Sequence, residues 1–167
     1  MSKKATVKPG DQAPSLNLPD LQGHAHALDQ ALAKGPVLLA FFKAECPTCQ
    51  YAFPFIDRLH RQFASQGASV WGISQDSERE SREFAAEFGV SFPTLIDAKP
   101  YEVSNRYGVA YTPTLFLVGR DGKVELEGDG FSKQDLLEVQ KKLARELSTK
   151  PDDLFLPGER VPEYKPG

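Results

Sequence analysis

The chain has 167 residues, of which 40% are hydrophobic and 26% are charged, and its formal net charge is −3. This length is typical of one domain that buries its own core, and the lack of a basic run argues against a nucleic-acid partner. The start of the sequence carries no apolar leader, and no run approaches about 18 apolar residues, so we expect a cytoplasmic protein without a membrane span.

The first part of the chain predicts only small elements. Residues 1–8 are small or polar, which predicts a flexible N-terminus. Residues 16–18 alternate apolar and polar side chains before the turn-forming residues 19–23, a pattern typical of an edge hairpin. Residues 28–32 place two leucines at helical spacing before Gly35, which predicts a short helix closed by glycine.

The apolar run Val37–Phe42 is rich in strand-forming residues and predicts a central strand buried on both faces. Cys46 and Cys49 follow this run, and residues 50–63 then carry apolar side chains at helical spacing. Pro54 lies within the helical pattern, where we expect it to bend the helix without ending it. The two cysteines are therefore predicted to lie where a strand ends and a helix begins.

The rest of the chain continues the alternation of strand and helix. Strands are predicted at Ser69–Ser74, residues 92–97, Thr114–Val118 and residues 123–127, and helices after Ser77, at residues 101–107 and after Ser132. Residues 148–167 contain four prolines without periodicity, which predicts an extended tail that lies on the domain or is disordered. We expect one α/β domain with a mixed sheet and helices on both faces.

Cys46 and Cys49 are the only cysteines of the chain. A cysteine at a helix N-terminus faces unpaired backbone N–H groups and the positive end of the helix dipole, which stabilise a thiolate. We therefore expect Cys46 to be the attacking thiol and the more buried Cys49 to resolve the mixed disulfide. Pro47 has no N–H group and a fixed φ, which suits the first position of the helix.

Three other interpretations of the cysteine pair compete with a redox pair: a structural disulfide, part of a zinc site, and two unreactive thiols. A zinc site needs about four ligands, and only three histidines are available. We expect His24 and His26 at the surface, with a partner-facing role as the alternative, and His60 packed at the edge of the core. A redox pair is favoured, because C-x-x-C beside alternating strands and helices is typical of redox enzymes.

These residues resemble the thioredoxin fold. The resemblance rests on residues 41–49 with their C-x-x-C motif, on Pro54 five residues after the second cysteine, and on residues 111–114 before a strand. It implies that Pro113 is the cis-proline that lies against the active-site disulfide of this family. A trans proline at the start of a strand is the alternative for Pro113.

The same resemblance implies a set of substrate contacts. The backbone of Thr112, which precedes the family's cis-proline, pairs with the substrate chain in that family. Pro113 itself and the two residues between the cysteines, Pro47 and Thr48, are the other implied contacts.

The chain also resembles the redoxin group of this fold, which holds AhpC/TSA proteins and TlpA-like thiol–disulfide reductases. Residues 10–18 and 92–97 carry this similarity, which extends over residues 9–147. It implies a thioredoxin-like three-layer sandwich, with a mixed central sheet, helices on both faces and an N-terminal hairpin extension. Residues 148–167 lie outside the resemblance.

Peroxiredoxins of the redoxin group carry the pattern P-x-x-x-T/S-x-x-C, and neither cysteine fits it. Aligned on Cys46, the pattern falls on Leu39 and Lys43; aligned on Cys49, it falls on Phe42 and Cys46. Disulfide exchange is therefore favoured. An atypical thiol-dependent peroxidase with antioxidant activity and a redox-inactive binding module are the alternatives.

Three positions differ from what thioredoxin-like enzymes carry. Glu45 stands where thioredoxins have tryptophan, Ala40 where they have a buried acid, and Ala52 where TlpA-like reductases often have glutamate. We expect Glu45 to be a solvated loop acid, with modulation of Cys46 as the alternative, because a negative charge nearby opposes thiolate formation. The sequence therefore predicts the type of reaction but leaves its direction open.

The predicted function is thiol–disulfide exchange at Cys46 and Cys49, without a cofactor or a metal. Its expected partners are proteins that carry a disulfide or a dithiol, and a reductase that donates electrons. The sequence makes no prediction of the oligomeric state.

Overall fold

The structure is a computed structural model that describes residues 5–167. Its elements follow one another as β1 (Asn17–Pro19), β2 (Ala25–Ala27), α1 (Leu28–Leu32), β3 (Val37–Phe42), α2 (Pro47–Phe63), a 3-10 turn (Ala64–Gln66), β4 (Ser69–Ser74), α3 (Glu78–Glu87), β5 (Thr94–Ile96), α4 (Glu102–Tyr107), β6 (Thr114–Val118), β7 (Val124–Asp129), β8 (Phe131–Ser132), α5 (Lys133–Glu146) and β9 (Tyr164–Lys165).

A five-stranded mixed sheet forms the centre of the fold, in the order β5-β4-β3-β6-β7. β3 pairs in parallel with β4 and antiparallel with β6, and β7 returns antiparallel beside β6. Every residue of β3 is buried, as its continuous apolar sequence predicts for a strand covered on both faces. β3 therefore holds the start of α2, and the cysteine turn before it, at the middle of the sheet.

Side chains of β3 alternate between two apolar clusters, one on each face of the sheet. Leu38, Ala40 and Phe42 join the cluster that contains the buried faces of α2, α3 and α5. The other cluster receives the intervening residues of β3 and is covered by α1 and α4. The predicted α/β fold, with a mixed sheet between helices, is confirmed.

Helix α2 is the main helix on the face of the sheet that carries the two cysteines. It begins at Pro47, the residue predicted for its first position, and continues through Pro54 to Phe63. Phe53 packs from this helix onto Phe42 of β3, with ring centroids 4.6 Å apart. Phe53 is fully buried, so its close packing sets the distance between α2 and the sheet.

The N-terminal hairpin of β1 and β2 is present, and it is joined to the edge of the sheet by a bridge between Asp20 and Leu95. Of residues 1–8, predicted to be flexible, residues 1–4 lie outside the described part of the chain. Val7, in the described part, is 6% exposed, and its N–H donates to the carbonyl of Tyr107 at 3.0 Å. Residues 5–8 are thus held against the domain.

Residues 148–167, which we call the tail, run over the face of the domain that α2 covers. Leu154 is 1% exposed, and Arg58 of α2 donates to its carbonyl at 2.9 Å. Arg58 also forms two hydrogen bonds to the carboxylate of Glu159, at 2.8 and 2.7 Å. β9 then pairs with β8, so that contacts with the domain hold this extended sequence in place at several points. Over residues 5–167, no helix is both long and apolar enough to cross a membrane.

Candidate active site

Cys46 and Cys49 lie at the junction of β3 and α2, as the sequence predicts, and both are free thiols in the structure. Cys46 is the N-cap residue of α2, and its Sγ accepts a hydrogen bond of 3.1 Å from the backbone N–H of Cys49. Pro47 occupies the first turn of the helix, where its missing N–H leaves no donor unpaired. A backbone N–H directed at sulfur interacts more strongly with a thiolate than with a thiol.

The two sulfurs have different environments. Cys46 is partly exposed, whereas Cys49 is fully buried in the cluster beneath α2. Burial strongly raises the pKa of the Cys49 thiol, and its hydrogen bond with Cys46 raises that pKa further. Of the two thiols, Cys46 is therefore the one that a partner can reach.

The loop before Cys46 is fixed by side chains from two directions. Asp76, just after β4, accepts a 2.7 Å hydrogen bond from the backbone N–H of Ala44. Gln50 of α2 donates to the carbonyl of Ala44 at 2.9 Å. Asp76 was not predicted as a site residue, since its only signal was an acid two residues after a strand that neighbours β3. Asp76 is a positioning residue, because it holds the loop and does not touch either sulfur.

The loop before β6 meets the cysteine turn directly. Sγ of Cys46 donates to the carbonyl oxygen of Thr112 at 3.3 Å, and the Thr112–Pro113 peptide bond is cis. The carbonyl of Pro113 accepts a 2.8 Å hydrogen bond from the N–H of Gly130, which ties this loop to the end of β7. The structure thus brings together Cys46, Thr112 and Pro113, residues that lie far apart in the sequence.

The remaining predicted site residues surround this centre. Pro47 is exposed, and the partly exposed Thr48 donates from Oγ1 to the carbonyl of Pro166 at 2.6 Å. Glu45 is exposed on the loop, which agrees with a solvated acid, and its alternative role as a modulator stays a prediction.

The positions where related enzymes carry acids are buried and apolar here. Ala40 and Ala52 are 0% and 2% exposed. Ala52 and Pro113 line a small cavity of about 10 Å³, and Asp135 from the first turn of α5 lines the same cavity. Burial raises the pKa of the Asp135 carboxyl. The sequence predicted only a helix after Ser132 and gave Asp135 no role in the site, because nothing in its spacing shows that α5 packs on the same face of the sheet as Ala52.

The histidines lie elsewhere. Nε2 of His26 is 2.8 Å from Oδ2 of the buried Asp20, and its ring meets Trp71 edge to face. His24 is exposed on the same hairpin. His60, on α2, packs edge to face against Phe92, and burial lowers the pKa of His60. In the described part of the chain, no group of three or more His, Cys, Asp and Glu side chains is arranged to hold a metal ion.

The sequence is similar to those of known proteins. The sequence model of the AhpC/TSA family matches residues 9–127. Thiol-disulfide oxidoreductase ResA from Geobacillus kaustophilus is 34% identical over 125 residues, which is 74% of this chain and 71% of the relative.

Two solved structures with similar folds come from different functional groups. A putative thiol:disulfide interchange protein DsbE from Chlorobium tepidum superposes with a TM-score of 0.75 and 26% identity, covering 85% of this chain and 99% of the other. Peroxidoxin BcpB from Mycobacterium tuberculosis superposes with a TM-score of 0.68 and 28% identity, covering 85% and 97%. With its paired thiols beside Thr112 and Pro113, the chain belongs to the AhpC/TSA family, among the thioredoxin-like thiol–disulfide oxidoreductases.

Proposed function

We propose that Cys46 and Cys49 exchange electrons with disulfides and dithiols of other proteins, with Cys46 as the nucleophile. One observation carries this assignment: Sγ of Cys46 lies partly exposed between the N–H of Cys49 and the carbonyl of Thr112, with a second, buried sulfur one helical turn away. In this arrangement a partner protein can reach the thiol of Cys46, and the buried thiol of Cys49 can attack only the sulfur of Cys46.

The reaction has two displacement steps. The Cys46 thiolate attacks one sulfur of the substrate disulfide, forms a mixed disulfide and releases the other substrate sulfur as a thiolate. Cys49 then loses its proton and attacks Sγ of Cys46, which forms the Cys46–Cys49 disulfide and releases the second substrate thiolate. Two electrons pass to the substrate, and a dithiol donor returns them by the same steps in reverse.

The second step needs a proton acceptor for Cys49, and we assign this role to Asp135. Asp135 lines the same cavity as Ala52, three residues after Cys49 on α2, and as Pro113, which follows the Thr112 carbonyl that accepts from Cys46. A cavity of about 10 Å³ has the size of about one water molecule, which can pass a proton to a carboxylate. Because burial raises the pKa of Asp135, its affinity for a proton is closer to that needed near neutral pH.

The backbone of Thr112 and the ring of Pro113 form one side of the proposed substrate contact, and Pro47 and Thr48 form the other. Protein disulfides are the proposed substrates, since an extended chain can pair with backbone in such a cleft. A dithiol reductase is the proposed electron donor. Cytoplasmic localisation stays a prediction, which fractionation of the native host would check.

Reduction of insulin disulfides tests the assignment. We expect the wild type to accelerate insulin precipitation in dithiothreitol, and Cys46→Ser to fall to the rate of dithiothreitol alone, because no attacking thiolate remains. Equal activity of the two proteins would contradict the role of Cys46. Asp57→Asn is a suitable control, because Asp57 lies in the part of α2 away from the cysteines, where it accepts hydrogen bonds from Ser91 and Arg61.

Peroxide reduction is the second candidate, and the similarity to peroxidoxin BcpB favours it. The partly exposed Cys46 can react with peroxide to form a sulfenic acid. Condensation of this sulfenic acid with the thiol of Cys49 then forms the same Cys46–Cys49 disulfide and releases water. Peroxide consumption with a dithiol donor, measured beside insulin reduction, separates the two functions. Faster turnover of peroxide than of insulin would favour the peroxidase.

A further inference from the structure

The last four described residues, 164–167, lie across the active site; we call them the groove segment. Their first half is β9, which pairs antiparallel with β8 so that Lys165 lies opposite Phe131 and Tyr164 opposite Ser132. Beyond β9, the carbonyl of Pro166 accepts the 2.6 Å hydrogen bond from Thr48, a residue between the two cysteines. The tail thus reaches the C-x-x-C turn itself.

The end of the groove segment also contacts the loop that precedes β6. A Cβ atom added to Gly167 would collide with the carbonyl oxygen of Thr112, which is the acceptor for Sγ of Cys46. On the opposite side, a Cβ at Gly130 would collide with the carbonyl of Lys165 and lie 3.2 Å from the nitrogen of Gly167. The space between Thr112 and Gly130 therefore fits one extended backbone, and this backbone fills it.

Two side chains of the groove segment fit the borders of the same space. Nζ of Lys165 lies 4.6 Å from the centre of the Tyr51 ring, which is a cation–π geometry. The hydroxyl of Tyr164 donates to Asp129 at 3.3 Å. This space therefore favours binding of an extended chain with a basic side chain. It offers the edge of β8, the ring of Tyr51 for a cation and the carboxylate of Asp129.

The groove segment is held more weakly than the part of the tail before it. Tyr164 is 52% exposed, whereas Leu154 is 1% exposed and Arg58 clamps Glu159 with two hydrogen bonds. Residues 160–163 join the two parts. The groove segment can therefore leave the site by local opening while its anchor stays in place, and the short tether keeps its effective concentration high.

We propose that residues 164–167 are an intramolecular competitor of the protein substrate. The substrate is an extended polypeptide that pairs with β8, places a small residue beside Thr112 and a basic side chain over Tyr51, and must displace the groove segment to reach Cys46. This inference rests on the proposed function. It adds what controls the access of substrates to Cys46, and the class of substrate that the site accepts.

A variant that lacks residues 164–167 tests the competition. If the groove is closed about nine-tenths of the time, its removal raises kcat/KM for insulin about 10-fold. Hydroxyethyl disulfide, which needs Sγ of Cys46 but no strand edge, should gain much less. Lys165→Ala should fall between wild type and deletion, and Arg160→Ala, exposed in the tether, should match wild type.

A synthetic peptide of residues 160–167 provides the second measurement. We expect it to inhibit the deletion variant competitively against insulin, and the same peptide with Lys165→Glu to inhibit more weakly. Equal kcat/KM for wild type and deletion, or no inhibition by the peptide, overturns the proposal. The rate of Cys46 labelling by a polyethylene-glycol maleimide reports access even if insulin is not a substrate: faster labelling of the deletion supports the proposal, and equal labelling overturns it.

Discussion

The outer side of the cysteine turn, around Cys46, differs from the inner side, around Cys49. The outer side is partly exposed and polar, with the carbonyl of Thr112 and the tail as neighbours. The inner side is buried against Ala52 and its apolar cluster. Two identical side chains three residues apart therefore acquire different chemistry from the fold alone, and each of the following experiments tests one part of that difference.

Selective alkylation should show the largest effect. At neutral pH we expect iodoacetamide to modify Cys46 more than about 100-fold faster than Cys49, because burial raises the pKa of Cys49 and blocks access to it. Mass spectrometry of the reduced protein after timed quenching measures both rates. Comparable labelling of the two thiols in the folded protein would remove the distinction between the two sides.

Removal of the inner sulfur should stop the reaction after its first step. Cys49→Ser is expected to accumulate a mixed disulfide between Cys46 and an insulin chain, approaching one adduct per protein, because no resolving thiol remains. Non-reducing electrophoresis detects the adduct, and Cys46→Ser serves as the matched control without one. An adduct that forms on Cys49 instead would reverse the assigned roles.

Asp135→Asn tests the inner side without removing a sulfur. The amide keeps the shape and the backbone contact with Ser132 but cannot accept a proton, so we expect resolution of the mixed disulfide to slow by up to about 100-fold near neutral pH. Alkylation of Cys46 should remain unchanged. Stopped-flow release of the substrate thiol measures the slow step, and Gln134→Glu, exposed on the same helix, is the control.

The smallest expected effect concerns the anchor of the tail on the outer side. Arg58 lowers the pKa of Glu159 from 4.5 to about 2, chiefly through its hydrogen bonds. A depressed carboxyl pKa contributes stability above 4.5, and this contribution is lost as the pH falls toward 2. Glu159→Gln should therefore lower the denaturation midpoint slightly at neutral pH and not at about pH 2.

Denaturant unfolding at several pH values, with Glu163→Gln as the control, measures this difference. Glu163 is an exposed acid of the same tail, and its backbone carbonyl, which the substitution retains, accepts from Lys133. A Glu159→Gln effect that persists unchanged at low pH would show that the ion pair does not anchor the tail.

Local sequence patterns were sufficient to predict most of the fold. The apolar run of β3, the cap at Ser77 and the cap at Ser132 each follow from residues that are close in sequence, and the structure has all three. The cysteine pair was found in the same way, because its spacing is its signal. Its contact with Thr112 depended on resemblance, since 66 residues separate the two partners.

Contacts that depend on the third dimension could not be read from the sequence. Asp76 holds the loop of Ala44 only because β4 pairs beside β3, and Asp135 reaches the cavity near Ala52 only because α5 crosses that face. The tail has no periodicity, so no pattern indicated that its end pairs with β8. These residues are positioned by packing between elements that are far apart in the sequence.

The position of Gly167 has a practical consequence for work with the recombinant protein. Any affinity tag or fluorescent protein fused after this residue would begin beside Thr112 and the sulfur of Cys46. Such a fusion would change the access of substrates to the reactive thiol, whatever its purpose. Rates measured with such a fusion should therefore be compared before and after its removal.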